Sequence, residues 1–259
     1  MRRKVILISI DGMRPDGFLQ CGNPYVDELM KKASYTLEGQ SVCPSVTLPC
    51  HMSIFHSVTP ERHGITTNVY TPMVRPISGL FEQVKNAGGV SAMFYGWEPI
   101  RDVSSPGALQ YAQYIWSYSQ ENTDRILTDA ALTHIKQCKP DFVFLYMVET
   151  DEKGGHDNGW MSAPYLQCLG SALENVKQVV SEVGDEYTVI VTADHGGHDR
   201  IHGTELPEDM TIPMLFVGPD FEEGKQLKNI TLLDIAPTIT QIMGIGSPRE
   251  WEGKPIVSV

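Results

Sequence analysis

TVIVTADHGGHDRIHG, residues 188–203, runs from an apolar segment straight into Asp194, His195, His198, Asp199 and His202. Three of the eight histidines in the chain fall within these last residues. Carboxylates and imidazoles crowded at one tip are costly to bury unless they pair or coordinate an ion, so a metal site is the first expectation. The segment before them reads as a buried strand, and four similar runs accompany it: KVILISI (4–10), GVSAMFY (89–95), DFVFLYMV (141–148) and TIPMLFVG (211–218).

Between these runs lie helical patterns. NPYVDELMKKA (23–33), ISGLFEQVKNAG (77–88), TDRILTDAALTHIKQC (123–138) and APYLQCLGSALENVKQVVSEVG (163–184) read as amphipathic helices, several of them followed by glycine. LLDIAPTITQIMG (232–244) reads as a last helix with Pro237 near its first turn. The alternation predicts an α/β fold of three layers, with a mainly parallel central sheet and helices on both faces. No repeat or linker divides the chain, so residues 1–259 are read as one domain. Residues from about 96 to 121, rich in Tyr, Trp, Ser and Pro without periodicity, are expected to form an inserted loop over a site.

Composition narrows the partners. With 259 residues, 41% of them hydrophobic, the chain can bury a sizeable core. A formal net charge of -12 leaves no basic surplus to release counterions from a nucleic-acid polymer, so a small molecule is the expected partner. The five cysteines are odd in number and form no C-x-x-C pair, which speaks against a disulfide framework or a cysteine zinc site and fits a reducing cytoplasm. The opening MRRKVILISIDG looks superficially like a signal peptide, but its apolar stretch stops at Asp11 and is read as the first strand. No segment approaches the roughly 20 apolar residues of a membrane span. Nothing here fixes the oligomeric state.

Three runs end in aspartate: VILISI in Asp11, FVFLYMVET in Asp151 and VIVTA in Asp194. In open parallel sheets ligands bind at the carboxyl ends of the strands, so these three side chains are expected to converge. DEKGGH (151–156) adds His156, with Gly154 and Gly155 expected to let the backbone fold sharply. Asp194 and His195, neighbours in sequence, can share an ion only if the chain leaves the strand there, which Gly196 and Gly197 are expected to permit. Carboxylate oxygen with neutral imidazole suits zinc first and manganese second, and calcium poorly.

CPSVTLPCHMSIFHS (43–57) places Ser45 and Thr47 before Pro49 and an apolar run. A helix is expected to begin near Thr47, setting its hydroxyl beside free N–H groups and the positive end of the helix dipole, where anions bind. Capping would explain such a hydroxyl equally well, and as a nucleophile it needs a base or metal to activate it.

Taken in order, ISIDGMRPD, PSVTLPCH, TPERHGITTN, DEKGGH, TADHGGH and IHGTELPEDMTIPMLFVGP, followed by LLDIAPTITQIMG, resemble the alkaline phosphatase superfamily, most of all its type I phosphodiesterase/nucleotide pyrophosphatase branch. The resemblance spans roughly residues 5 to 245. It implies two divalent ions bridged by substrate. Asp11, Thr47, Asp194 and His195 would hold one ion, and Asp151, His156 and His202 the other. Thr47 would be the nucleophile, and Asn68 would contact a nonbridging phosphoryl oxygen together with the backbone N–H of Thr47. Asp151 and His156 stand five residues apart where the branch usually has four, Cys50 replaces its usual asparagine, and no cap domain is evident. A sulfatase is disfavoured because Cys43 is followed directly by Pro44, without the C-x-P-x-R pattern.

His51, His63, His198 and Asp199 are expected to support the site or the fold rather than bind the ions. Trp97, Tyr70, Trp160 and Tyr165 could stack a base or aryl group, although packing is their commoner use. Arg14, Arg62 and Lys153 lie near the motifs without a clear phosphate-clamping place. Phosphodiester hydrolysis is the leading expectation, with a phosphonate hydrolase or phosphomonoesterase second. A metal- or phosphate-binding protein without turnover, or a mutase of the superfamily, is the rival. A purely structural zinc has a closed shell of about four ligands and needs no nucleophile beside it, which favours the enzyme.

Overall fold

The structure, a computed structural model, describes residues 3–256; Met1, Arg2 and the last three residues lie outside the described residues. Seven strands form one sheet: β1 (Lys4–Ile10), β2 (Ser34–Gln40), β3 (Ser91–Tyr95), β4 (Tyr111–Tyr114), β5 (Phe142–Met147), β6 (Tyr187–Thr192) and β7 (Thr211–Val217). Their order across the sheet is β2-β7-β6-β1-β5-β3-β4. All neighbours pair parallel except β7, which runs antiparallel to both β6 and β2.

Nine α-helices connect them among the described residues: α1 (Pro15–Gln20), α2 (Tyr25–Lys32), α3 (Thr47–His56), α4 (Pro60–His63), α5 (Leu80–Asn86), α6 (Thr123–Cys138), α7 (Ala163–Val183), α8 (Pro207–Met210) and α9 (Ile235–Met243). Helices α1, α2 and α6 pack on α7, while α3, α5 and α9 pack together as a second group. The sheet is thus covered on both faces, and β1, β5 and β6 are buried along almost their whole length and predominantly apolar because neither side meets water. None of these helices is long and apolar enough to cross a membrane.

Register is what places the site. Ile10 of β1 lies opposite Met147 of β5, and Ser9 lies opposite Thr192 of β6. The three parallel strands therefore finish level, and the residues after them emerge along one edge.

Two strands have no counterpart in the apolar runs. Edge strand β2 is half exposed and bulges between Thr36 and Gly39. Edge strand β4 is four mostly exposed residues inside segment 96–121, which also contains two 3-10 turns, Glu98–Val103 and Ser117–Ser119. That segment is fastened to the turn after β5: the Ser117 hydroxyl donates to Glu152, and the Tyr118 hydroxyl donates to Asp157 Oδ2 at 3.3 Å.

Candidate active site

The chain leaves β5 into a π-helical turn, Thr150–His156. Such a turn closes hydrogen bonds between residues five apart, and Asp151 and His156 have that spacing. His156 Nε2 consequently comes within 3.4 Å of Asp151 Oδ2. The additional residue between these two side chains is absorbed by the wider turn, and they still meet.

Glycine does a different job from the one expected. Gly154, Gly155, Gly196 and Gly197 all have ordinary negative φ. What they provide is room. A Cβ on Gly155 would lie 2.6 Å from the Trp160 ring, one on Gly197 2.2 Å from the same ring, and one on Gly196 2.0 Å from the Glu208 carbonyl oxygen. Trp160 is wedged between the loops that carry these glycines, and its Nε1–H donates to the Gly12 carbonyl at 2.9 Å.

The seven residues anticipated as metal ligands come together. His195 Nε2 lies 3.3 Å from Asp11 Oδ1, 3.3 Å from Asp194 Oδ2 and 3.1 Å from Thr47 Oγ1. His202 stacks on His195 with ring centres 3.8 Å apart, and its Nε2 is 3.9 Å from Asp151 Oδ1. Two groups of ligand atoms, from Asp11, Asp194 and His195 and from Asp151, His195 and His202, each lie within 4.8 Å of one another.

Proton positions follow from the partners. Nδ1 of His195, His202 and His156 lies 2.8, 2.8 and 2.9 Å from the carbonyl oxygens of Gly196, Ser45 and Arg200. A carbonyl only accepts, so each Nδ1 carries a hydrogen, and in the neutral ring each Nε2 presents a lone pair. A lone pair of His195 facing two carboxylate oxygens is repulsive unless positive charge lies among them. Asp11 Oδ1, Asp151 Oδ1 and Asp194 Oδ2 are buried without a hydrogen-bond partner among the described residues, as metal-directed oxygens would be.

Electrostatics agree. Burial, then the charges of Asp151 and Asp194, pushes the Asp11 carboxyl well above the ordinary range. Burial, then Asp194 and Glu152, does the same to Asp151. Burial also pushes Asp194 upward, but His195 and then His51 hold it below its usual value. Burial, then His195, depresses His202 to about 3, which keeps that imidazole neutral. Ionising all three aspartates at once requires cations, and the donor set fits divalent ions.

Thr47 is the first residue of α3 and is buried beside this cluster. Asn68 reaches the same helix start, where its Oδ1 accepts the Leu48 N–H at 3.0 Å. Ser45 is otherwise engaged: its hydroxyl donates to the Thr204 carbonyl at 2.7 Å. His51 Nδ1–H donates to the Thr47 carbonyl at 2.8 Å, and its Nε2 lies 3.1 Å from Ser9 Oγ. His63 bonds Ser53 and the Ile65 N–H, while His198 pairs with buried Asp209 at 2.7 Å. The Asp199 carbonyl accepts the Trp160 N–H. Cys50 is a buried thiol whose pKa is raised by burial and then by Asp194.

Of the aromatic candidates, Tyr165 and Trp160 are packed inside, Trp97 is partly buried and Tyr70 is exposed. The nearby cations are engaged. Arg14 binds Asp16 through Nε at 2.8 Å and through a terminal nitrogen at 2.6 Å, and reaches the Gly197 carbonyl at 2.9 Å. Lys153 binds Glu149 at 2.5 Å, and Arg62 reaches the Arg75 carbonyl at 3.4 Å. Sequence reasoning passed over Asp209, which also accepts from Thr204 N–H and Oγ1–H, and Tyr146, whose hydroxyl donates to Asp11. A hydroxyl inside the apolar run FVFLYMV was the available signal for Tyr146.

The family model described as Type I phosphodiesterase / nucleotide pyrophosphatase matches residues 5–206. Among curated proteins, the 2,3-bisphosphoglycerate-independent phosphoglycerate mutase of Salmonella typhi is 28% identical over 180 residues, 66% of this chain and 33% of that protein. The mutase of Clostridioides difficile is 28% identical over 138 residues, 51% of this chain and 27% of its own length. The chain thus spans about a third or less of these relatives. Among solved structures, murine ectonucleotide pyrophosphatase/phosphodiesterase 5 superposes with a TM-score of 0.81 at 16% identity, covering 96% of this chain and 98% of that one. A phosphonate monoester hydrolase from Silicibacter pomeroyi gives 0.77 at 14% identity, covering 98% and 76%. At these identities the likeness is one of fold.

Proposed function

The chain belongs to the type I phosphodiesterase/nucleotide pyrophosphatase family, and from that premise we propose that it is a metal-dependent phosphodiesterase that works through a phosphothreonine intermediate at Thr47. One observation carries this reading: partnerless oxygens of Asp11, Asp151 and Asp194 cluster with the Nε2 atoms of His195 and His202, and the Thr47 hydroxyl at a helix start lies 3.1 Å from His195 Nε2. Asp11, Thr47, Asp194 and His195 would hold one ion and Asp151, His156 and His202 the other, zinc first and manganese second. Two such ions would lower the Thr47 hydroxyl pKa, offset the charge of the three aspartates and stabilise the leaving oxygen.

Thr47 Oγ1 attacks phosphorus in line, and the bond to the leaving alcohol breaks as the new one forms. Water then displaces Thr47 from phosphorus and restores the hydroxyl. Asn68 holds the nonbridging oxygen: its Oδ1 is taken by the Leu48 N–H, which leaves the amide Nδ2 as the donor. Segment 96–121, tied to the π turn through Ser117 and Tyr118, forms one wall over the site. The five free thiols suit a reducing compartment, and we assign the chain to the cytoplasm.

Substrate charge follows from the cations. A monoester dianion needs an extra positive side chain, and Arg14, Arg62 and Lys153 all have partners. A diester monoanion needs only Asn68 and a backbone N–H. Solved neighbours support the chemistry: an inactive threonine-to-alanine variant of the murine protein is described in complex with AMP, and phosphonate monoester hydrolases share the fold. A phosphonate monoester, also a monoanion, is accordingly the second reading.

The test is metal analysis joined to a substrate panel with a single aryl leaving group. The protein should bind two ions and show a higher kcat/KM for the phosphodiester or phosphonate monoester than for the phosphate monoester, with little activity on the sulfate. One ion or fewer under saturating zinc and manganese overturns the two-metal assignment. A monoester preference of about tenfold or more overturns the diesterase reading.

A further inference from the structure

We propose that Tyr146 is a positioning residue for Asp11, its phenol holding one carboxylate oxygen so that the other faces the ion bound with Asp194 and His195. The inference rests on the two-metal reading above. Tyr146 lies on β5 directly beside Ser9 of β1, two residues before Asp11 on the adjacent strand. It is fully buried, and its hydroxyl donates to Asp11 Oδ2 and, among the described residues, makes no other hydrogen bond.

The two oxygens of Asp11 are therefore unequal. Oδ2 is committed to the phenol, while Oδ1 is buried without a hydrogen-bond partner, 3.3 Å from His195 Nε2. An aspartate with both oxygens free could swap them or chelate through both; one anchored oxygen leaves a single-oxygen ligand of fixed direction. The donor itself is held. His51 packs edge-on against the Tyr146 ring, with centres 5.0 Å apart at 89°, and Phe144 lies 6.3 Å away on the same strand. His51 is in turn fixed between the Thr47 carbonyl and Ser9 Oγ, so one buried layer steadies both the nucleophile's backbone and the Asp11 carboxylate.

The other two aspartates are held differently. Asp194 Oδ1 receives the Gly12 N–H at 3.3 Å, a main-chain donor that substitution leaves in place. Among the described residues, neither Asp151 nor Asp194 receives a hydroxyl hydrogen bond. Removing one phenol oxygen should consequently loosen one ion and spare the other.

The experiment is stepwise zinc release from the loaded protein to a chromogenic chelator, with manganese resonance spectra as a second readout. In Tyr146→Phe, which keeps the ring, the ion held through Asp11 should bind about 10- to 100-fold more weakly, the range for losing a partner of a ligand. The ion held through Asp151 and His156 should keep its wild-type affinity. In an Asp11→Asn background, Tyr146→Phe should add no further loss at that ion. Unchanged release of both ions, or equal weakening of both, overturns the proposal. Should the phenylalanine variant fail to fold, 3-fluorotyrosine installed at Tyr146 alone keeps the ring and strengthens the donor; a change confined to the Asp11 ion then supports the role, and no change overturns it. Wild-type protein that binds fewer than two ions defeats the two-metal reading instead, so the two failures are distinguishable.

Discussion

Replacing Gly197 by alanine adds a single methyl group to the loop after His195, and the structure says where it goes. The new Cβ would sit 2.2 Å from Trp160 Cε2 and 2.5 Å from Cδ2 and Cζ2, against the 3.4 Å where ordinary contact begins. The indole must retreat by more than 1 Å. It has nowhere to go, because Gly155 already closes the other loop against the ring and Nε1–H is held by the Gly12 carbonyl. Overpacking of this kind costs about 1–3 kcal/mol, and loss of the indole hydrogen bond adds about 1 kcal/mol. For a chain of this size that is a fall in Tm of roughly 5 to 15 °C, read by calorimetry on metal-free protein. The ring also lies against His156 and His202, at 5.2 and 5.9 Å between centres, so metal release should quicken in the same variant. A smaller ring should relieve the clash: Trp160→Phe in the Gly197→Ala background should cost less than the two single changes added together. A Gly197→Ala variant with a Tm within about 2 °C of the parent would refute the close-packing account.

Thr47→Ala should abolish nearly all turnover while keeping the fold and most of the metal, and Thr47→Ser should retain part; near-normal rates in Thr47→Ala but not in Ser45→Ala would move the nucleophile to Ser45. Asn68→Ala should slow catalysis by about 10- to 1000-fold with metal content unchanged, as for loss of one transition-state donor; loss of metal would make Asn68 a support for the helix start. His63 gives a pH test. Its Nδ1 accepts the Ile65 N–H, and burial, then His56, lowers it from 6.5 to about 4. The unfolded chain therefore takes up that proton first, and the stability His63 contributes above pH 6.5 is lost as pH falls toward 4. By pH 5 the loss is about 2 kcal/mol. Urea titrations should show a shallower acid slope in His63→Gln, and an identical slope would sink the assignment.

The layered fold was readable because the strands that build it are buried on both faces. β1, β3, β5, β6 and β7 are continuous apolar runs for that reason. β2 and β4 escaped notice because they are edges: one carries Glu38, Gly39 and a bulge, and the other is four largely solvated residues. At the site, aspartate and histidine at strand ends announce themselves, since little else explains charge there. The role of glycine in TADHGGH did not, because nothing local to that motif says that an indole from thirty-odd residues earlier lies against it. The partners of Arg14 and Lys153 lay within reach of the sequence, because Asp16 stands two residues away and Glu149 four residues away, the latter the spacing at which opposite charges meet on a helix.

The orientation of the three site imidazoles has an evolutionary consequence. Each ring is aimed by a main-chain carbonyl, from Gly196, Ser45 or Arg200, and peptide carbonyls persist whatever side chain is attached. Point substitution therefore cannot delete these supports as it could delete a supporting carboxylate. Drift in this neighbourhood can recolour the surrounding loops while the imidazoles keep their aim. What it cannot vary freely is the path of the chain itself. The vulnerable positions are the clustered aspartates and imidazoles and the small residues that shape that path, and an inherited loss of function at this site should trace to one of these far more often than to any side chain standing behind a histidine.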